Sequence, residues 1–291
     1  MAFLTVFTPT RNQADLLPRC YQSLCRQTDT DFIWMIVDDD SKDETADIVK
    51  SWIGENKLHI HYIRQGYQGM HNAHNTAYRK IRTELNVCLN ASDWFDQKAV
   101  EKIRKHWGKF KTFGVAGIIA LNADENGQVI GTKLPQGVAT SRVIDLYEQH
   151  GVTGDKKLVY RTDLTRKYPY PQFQGESYTD LAYKYFKLDE GYTMLLMNEK
   201  LTYSMGQGEE GEYLKYKHYK TNPQSYSFYH KELMMLSRAK DTFRFRQAVH
   251  YVSSSMFEKN GRFLQETPKR GMTLAAFPFG VVLYLMIQIK T

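Results

Sequence analysis

Two junctions in this chain set an apolar run against an abrupt polar end, and both carry residue types that can do chemistry. At the first, Phe32-Ile33-Trp34-Met35-Ile36-Val37 stops at Asp38-Asp39-Asp40-Ser41-Lys42-Asp43-Glu44-Thr45. At the second, Leu85-Asn86-Val87-Cys88-Leu89 ends in Asn90-Ala91-Ser92-Asp93. Carboxylates at such ends accept hydrogen bonds from a nucleotide, and anionic oxygens hold hard divalent cations. A third place is Gly175-Glu176, with Asp180 one turn further on, where a carboxylate could take a proton. No phosphate-cradling glycine loop, zinc spacing or Ser–His–Asp order competes with these.

The elements that must position these residues alternate. Phe3 to Phe7 reads as a short strand, Thr8-Pro9-Thr10-Arg11-Asn12 as a turn, and Leu16, Leu17, Cys20, Leu24 and Cys25 recur at helical spacing. After the Phe32–Val37 strand, Ser41 or Asp43 can cap a helix through Ala46, Ile48, Val49 and Trp52. Leu58 to Ile63 alternates as a third strand, and a polar loop at Gly66–Gly69 leads into a helix about His74–Arg82. Such alternation means parallel strands with crossover helices, whose ligands sit outside the strands' carboxyl ends. Both junctions belong to that edge.

Further on, Gly114–Leu121 reads as a strand, Asp124–Gly127 as a hairpin-type turn before Gln128–Thr132, and Leu158–Tyr160 as another strand. Tyr168-Pro169-Tyr170-Pro171 breaks regular structure, and Glu176 is expected to open a tyrosine-rich helix. Tyr229, Leu233, Leu236 and Phe243 keep helical spacing in a basic, aromatic tail. The expected organisation is a sheet domain over residues 1–212 and a helical appendage over 213–291.

With 291 residues, 42% hydrophobic and 24% charged, the chain can bury a full core. Its formal charge of +7 suggests anionic company. Without a finger, a basic zipper or an aromatic RNA-binding motif, nucleic acid is not the expected partner. Cys20, Cys25 and Cys88 have no metal-like spacing and fit a reducing cytoplasm. Met1 to Thr8 reads as a strand rather than a signal peptide.

Taken together, Thr8-Pro9-Thr10-Arg11-Asn12, Val37 to Thr45, Gly69-Met70-His71-Asn72-Ala73-His74-Asn75, Gly151 to Arg161 and Gly175-Glu176 stand in familiar order. The set resembles the family-2 glycosyltransferases of the GT-A fold, in particular those building bacterial capsular or cell-surface polysaccharides. The resemblance implies an α/β fold with a mostly parallel, Rossmann-like sheet flanked by helices. It implies an inverting transfer from a UDP-sugar donor to a glycan or lipid-linked glycan. Pro9, Thr10 and Asn12 would floor the nucleotide site, and Asp39 would accept the uracil imide N–H. Asp38 would organise the turn. His71, Asn72 and Asn75 would approach ribose or sugar, and Asp155 would meet sugar hydroxyls. Glu176, with Asp180 as second choice, would take the acceptor's proton.

At the second junction this chain departs from the family, which usually carries Asp-Ser-Asp-Asp for Mn²⁺ or Mg²⁺. Asn90 and Ser92 replace two carboxylates, which should weaken metal binding severely, although Asp93 survives. Three readings stay open: a metal held weakly by Asp93, water and the donor phosphates; cations such as Arg64, Lys156, Lys215 or Lys217 in its place; or a degenerate nucleotide-sugar binder partnering an active transferase. Gly271 to Thr291 is strongly apolar between Lys269-Arg270 and Lys290. Interfacial attachment to the inner face of a bacterial membrane is the first expectation, packing within the chain or against a second subunit the next, and a true span the last.

Overall fold

Apolar strands and amphipathic helices build a βα repeat in the first part of the chain: β1 (Leu4–Thr10), α1 (Leu17–Cys25), β2 (Phe32–Asp39), α2 (Thr45–Glu55), β3 (Ile60–Gln65), α3 (Met70–Lys80) and β4 (Leu85–Cys88). There follow β5 (Asp93–Phe95), α4 (Ala99–Phe110), β6 (Val115–Asp124), β7 (Thr140–Ser141), α5 (Val143–Glu148), β8 (Lys156–Arg161), α6 (Thr162–Thr165), α7 (Ala182–Asp189) and β9 (Thr193–Ser204). The chain ends in α8 (Glu210–Thr221), α9 (Pro223–Met234), α10 (Asp241–Glu258), α11 (Phe263–Glu266) and α12 (Arg270–Lys290). This computed structural model describes residues 2–110, 114–205 and 210–291, and side chains outside 206–215.

The strands join one nine-stranded sheet in the order β3-β2-β1-β4-β8-β6-β9-β5, with β7 also on β9. β3, β2, β1 and β4 run parallel. β8 lies antiparallel between β4 and β6. That reversal brings the start of β8, Lys156 and Lys157, to the edge where the parallel strands end.

Side chains alternate across a strand, so each strand serves two cores. On one face Leu4, Val6, Trp34, Ile36, Leu85 and Val87 pack with Leu17, Leu24, Val49, Trp52, Val100 and Ile103 of α1, α2 and α4. Trp34 is fully buried, and its indole N–H donates to Thr8 Oγ1 at 2.9 Å. Removing roughly 200 Å² of such a ring from water contributes about 5 kcal/mol. On the other face Phe7 meets His74 and Tyr78 of α3 edge-on at 5.1 and 5.2 Å. Helices on both faces of a mostly parallel region give the α/β architecture that alternation predicts.

Two compact units result: Met1–Pro169 with Gly191–Gly206, and Tyr170–Glu190 with Gln207–Thr291. Segment Tyr170–Glu190, which the expected boundary at 212 leaves with the sheet, groups with the helices. In the helical unit α12 rests on α10 through a small-residue face. A Cβ at Gly280 would stand 2.5 Å from Val252 Cβ and Cγ1, so only glycine permits this approach. Ala276 and Thr273 are fully buried, while Leu274, Phe279, Val282 and Ile289 are more than half exposed. Among the described residues α12 is one helix long and apolar enough, by length and composition, to cross a membrane.

Four expected elements differ. Thr8, Pro9 and Thr10, expected in a turn, are the last residues of β1 and pair with Ile36, Val37 and Asp38, because the β1–β2 ladder continues to the carboxyl edge. α3 starts at Met70 rather than near His74 because Gly69, at φ 87°, turns the chain directly into it. Gln128–Thr132 forms no strand beyond a single bridge, Ala123 to Val129. Its Gly131 instead abuts the Thr153 carbonyl, where a Cβ would come within 2.1 Å. Glu176 opens no helix; α7 begins at Ala182.

Candidate functional site

The carboxyl ends of β1, β2 and β3 are stitched into one wall. Thr10 pairs with Asp38 at the end of the β1–β2 ladder, and beyond it the two connecting loops hold each other. Asn12 takes a left-handed conformation (φ 50°) that asparagine tolerates better than most residues. Its backbone N–H donates to Ser41 Oγ at 2.9 Å, and its side-chain oxygen accepts the Lys42 N–H at 2.7 Å. Asp43 accepts the Ala14 N–H at 2.9 Å and the Thr45 N–H at 3.1 Å. Asp43 therefore serves the start of α2, whereas Ser41 serves the β1 loop. Asp38 does organise the turn: one oxygen accepts the Ser41 N–H at 2.8 Å and the other the Tyr62 hydroxyl at 2.5 Å.

Asp39 is buried and belongs to the next loop. Oδ1 accepts Gln65 Nε2 at 2.8 Å and the Gln68 N–H at 3.0 Å, and Oδ2 accepts the Gly69 N–H at 2.8 Å. A carboxylate offers about four acceptor sites, so among the described residues one remains open on Oδ2. This anchor fixes the start of α3, and with it His71, Asn72 and Asn75, all buried in its first turns. Asn72 Nδ2 donates to the Gln68 carbonyl at 2.8 Å and lies 3.1 Å from His71 Nε2. Over the same loop the Arg11 guanidinium stacks on Tyr67 at 3.8 Å. Asp40, at φ 67°, carries Lys42 and Arg64; the Lys42 hydrogen bond holds its carboxyl below the usual range.

The residues at the second junction fit a divalent ion poorly. Asn90 is exposed and donates its amide to Asp93 Oδ2 at 3.0 Å. Ser204 Oγ donates to Asp93 Oδ1 at 2.5 Å. Lys157 Nζ stands 3.7 Å from Asp93 Oδ2 and donates to the Cys88 carbonyl at 3.1 Å, with both charged side chains nearly buried. An amide, a hydroxyl and one carboxylate already facing an ammonium do not make a divalent site. Among the described residues no group of three His, Cys, Asp or Glu could hold an ion. The expected weak metal at Asp93 therefore fits these residues poorly, because the carboxylate already faces an ammonium and each of its oxygens already accepts a hydrogen bond. Burial pushes the thiol of nearby Cys88 up to about 12.

Two of the cations expected in a metal's place are engaged elsewhere. Arg64 donates to the Ser41 carbonyl, and Lys156 to the carbonyls of Ile130, Thr153 and Gly154. Lys217 lies in the helical unit, and the side chain of Lys215 lies outside the described residues. Lys157 was the residue sequence reasoning missed. The signal was present: alternation puts Lys157 on the same face as fully buried Val159, which marks a lysine on the core side of a strand. Asp155, beside it, is exposed.

Glu176 and Asp180 lie in the helical unit. Both Glu176 oxygens accept backbone N–H groups from the first turn of α9, Gln224 at 2.7 Å and Ser225 at 2.8 Å. In return Asn222, at the N-cap, accepts the N–H groups of Ser177 and Tyr178 at 2.9 and 3.0 Å. Glu176 is thus a helix cap for a segment distant in sequence. Asp180 spends one oxygen on the Ala182 N–H at 2.8 Å, and burial raises its carboxyl above the usual range.

Among solved structures, the fold matches Staphylococcus aureus TarS (residues 1–349) with a TM-score of 0.65 at 14% identity, over 98% of this chain and 90% of that one. The same enzyme in complex with UDP-GlcNAc matches at 0.64 and 14% identity, over 98% and 81%. The mannosyltransferase PcManGT of Pyrobaculum calidifontis, in complex with GDP-Man and Mn²⁺, matches at 0.59 and 14%, over 98% and 87%. The fold is GT-A. In sequence, 127 residues are 28% identical to the chondroitin synthase of Escherichia coli, covering 44% of this chain and 18% of that protein. Over 92 residues the chain is 42% identical to a PGL/p-HBAD biosynthesis glycosyltransferase of Mycobacterium tuberculosis, covering 31% of this chain and 35% of that protein. The chain thus spans well under half the length of either relative. The family model described as Glycosyl transferase family 2 matches residues 5–168, the stretch holding both junctions. This chain belongs to glycosyl transferase family 2.

Proposed function

We propose that this protein transfers a sugar, with inversion, from a UDP-sugar to a bacterial surface glycan such as a capsular, exopolysaccharide or wall polymer. The observation that carries the reading is the preformed wall at the carboxyl edge, where loops 10–14, 41–43 and 65–69 are hydrogen-bonded into one piece. A wall already ordered spends little binding energy on ordering itself, as a nucleotide site requires. Pro9, Thr10 and Asn12 would form its floor, and the open acceptor site on Asp39 Oδ2 would take the uracil imide N–H. Asn72, Asn75 and His71 would serve the ribose and the sugar, and Asp155 the sugar hydroxyls. One structural neighbour binds UDP-GlcNAc and another GDP-Man, so a nucleotide sugar is supported and the choice of uridine rests on the reading of Asp39.

For the acceptor's proton we assign Asp180 ahead of Glu176. Asp180 has a carboxyl raised by burial and one oxygen committed, whereas Glu176 has both committed. The exposed apolar face of α12, with Lys269, Arg270 and Lys290 at its ends, would hold the protein at the cytoplasmic face of the membrane, near a lipid-linked acceptor. Association with a second copy or a partner transferase is compatible with the same face.

Calorimetry with UDP and GDP, then an assay of UDP release from a panel of UDP-hexoses, tests the reading. UDP binding with release from one donor is the expected result. Absence of UDP binding overturns it. UDP binding without release from any donor replaces it with a non-catalytic nucleotide-sugar binder.

A further inference from the structure

We infer that Lys157 is a built-in cation standing where a divalent metal would otherwise serve, so that the nucleotide site works without metal. The inference rests on the nucleotide-sugar reading and adds what neutralises the diphosphate. Two carboxylates holding a divalent ion sum to zero formal charge. Here Asp93 and Lys157 reach the same zero with no ion, 3.7 Å apart.

The pair is built rather than incidental. Lys157 is 7% exposed and Asp93 4%, so bulk salt and water screen neither well. Asp93 has Ser204 on one oxygen and Asn90 on the other, and an arriving cation would share what remains with an ammonium of its own sign. Lys157 is tethered to the Cys88 carbonyl at the end of β4, which aims its charge at the carboxyl edge. An ammonium has three N–H donors. The carbonyl takes one and the carboxylate attracts another, which leaves one for a phosphate oxygen. Replacing Asn90 and Ser92 by carboxylates would then be insufficient to restore a metal site while Lys157 remains.

The test combines UDP calorimetry in EDTA and in Mn²⁺ with electron paramagnetic resonance of free Mn²⁺ titrated with the nucleotide-free protein. For the natural chain, UDP affinity should agree within about twofold between the two media, and the free Mn²⁺ signal should not fall. Lys157→Met should weaken UDP in EDTA by about tenfold, in line with the loss of one charge-assisted hydrogen bond. Because that variant strands Asp93, the doubly neutral Asp93→Asn/Lys157→Met is measured beside it and should show the same weakening. Asn90→Asp/Ser92→Asp should bind little Mn²⁺, and adding Lys157→Met to that pair should create clear Mn²⁺ binding.

UDP affinity that collapses in EDTA, loss of the Mn²⁺ signal with the natural chain, or full UDP affinity in the doubly neutral variant each overturns the inference. If UDP binds in neither medium, the nucleotide reading fails and the inference falls with it. The resonance titration then reports only whether Lys157 excludes metal.

Discussion

The sharpest single test concerns Glu176→Gln, because base and helix cap predict opposite outcomes. Both carboxylate oxygens hold N–H groups at the start of α9, whose first residue, Pro223, has no N–H to satisfy. Glutamine keeps one oxygen for one of them and turns an NH₂ toward the other. Losing a charge-assisted hydrogen bond costs about 1.5–3 kcal/mol. Losing the anion at the positive end of the helix adds about 0.3–1 kcal/mol. The sum is about 2–4 kcal/mol within a helical unit of about one hundred residues, where each kcal/mol moves Tm by about 4–8 °C. Scanning calorimetry of the full chain should therefore show the helical transition roughly 10 °C or more lower. At temperatures where the variant is folded, UDP release should fall by less than about tenfold, whereas Asp180→Asn should lose on the order of a hundredfold or more. An unchanged Tm for Glu176→Gln together with abolished release would refute the capping argument and make Glu176 the base.

Two further outcomes follow from the helical unit. Gly280→Val places its Cβ against Val252 and should cost at least about 1–3 kcal/mol, seen as a lower Tm and faster proteolysis between α10 and α12; an unchanged Tm would show that α12 is not packed there. Acid should destabilise the same unit through His230 and His250, which stack at 4.8 Å between α9 and α10. Burial, then its stacked partner, holds His230 far below the ordinary value of 6.5; burial, then Arg246, lowers His250. A depressed imidazole contributes its stability in full above pH 6.5 and loses it as pH falls toward the folded-state value. Each should contribute a slope of up to about 1.4 kcal/mol per pH unit below that point. Denaturant titrations across this range check it, and a His250→Phe variant that keeps the whole slope would contradict it.

What could be read from the residues themselves was local. Period-two runs such as Leu58–Ile63 and helical spacing such as Leu17, Cys20 and Leu24 report which face each element buries, and burial is the largest force acting on a segment. The α/β class, the carboxyl edge and the clustering of residues 9–12 with 38–45 follow from that. The poor donor set at the second junction was legible too, since Asn90 and Ser92 lack charge in any conformation. Partnerships between distant residues were not legible. Nothing near Glu176 announces that α9, almost fifty residues on, needs its carboxylate, and Gly131 and Gly154 gain their meaning only where the two loops touch. Lys157 belongs in both groups. Strand alternation marks it as buried, but that its charge meets Asp93 depends on β8 running antiparallel beside β4. Hydrophobic pattern is a property of neighbours along the chain, whereas the pairing of a buried charge depends on chain reversal, and that is decided only when the whole sheet closes.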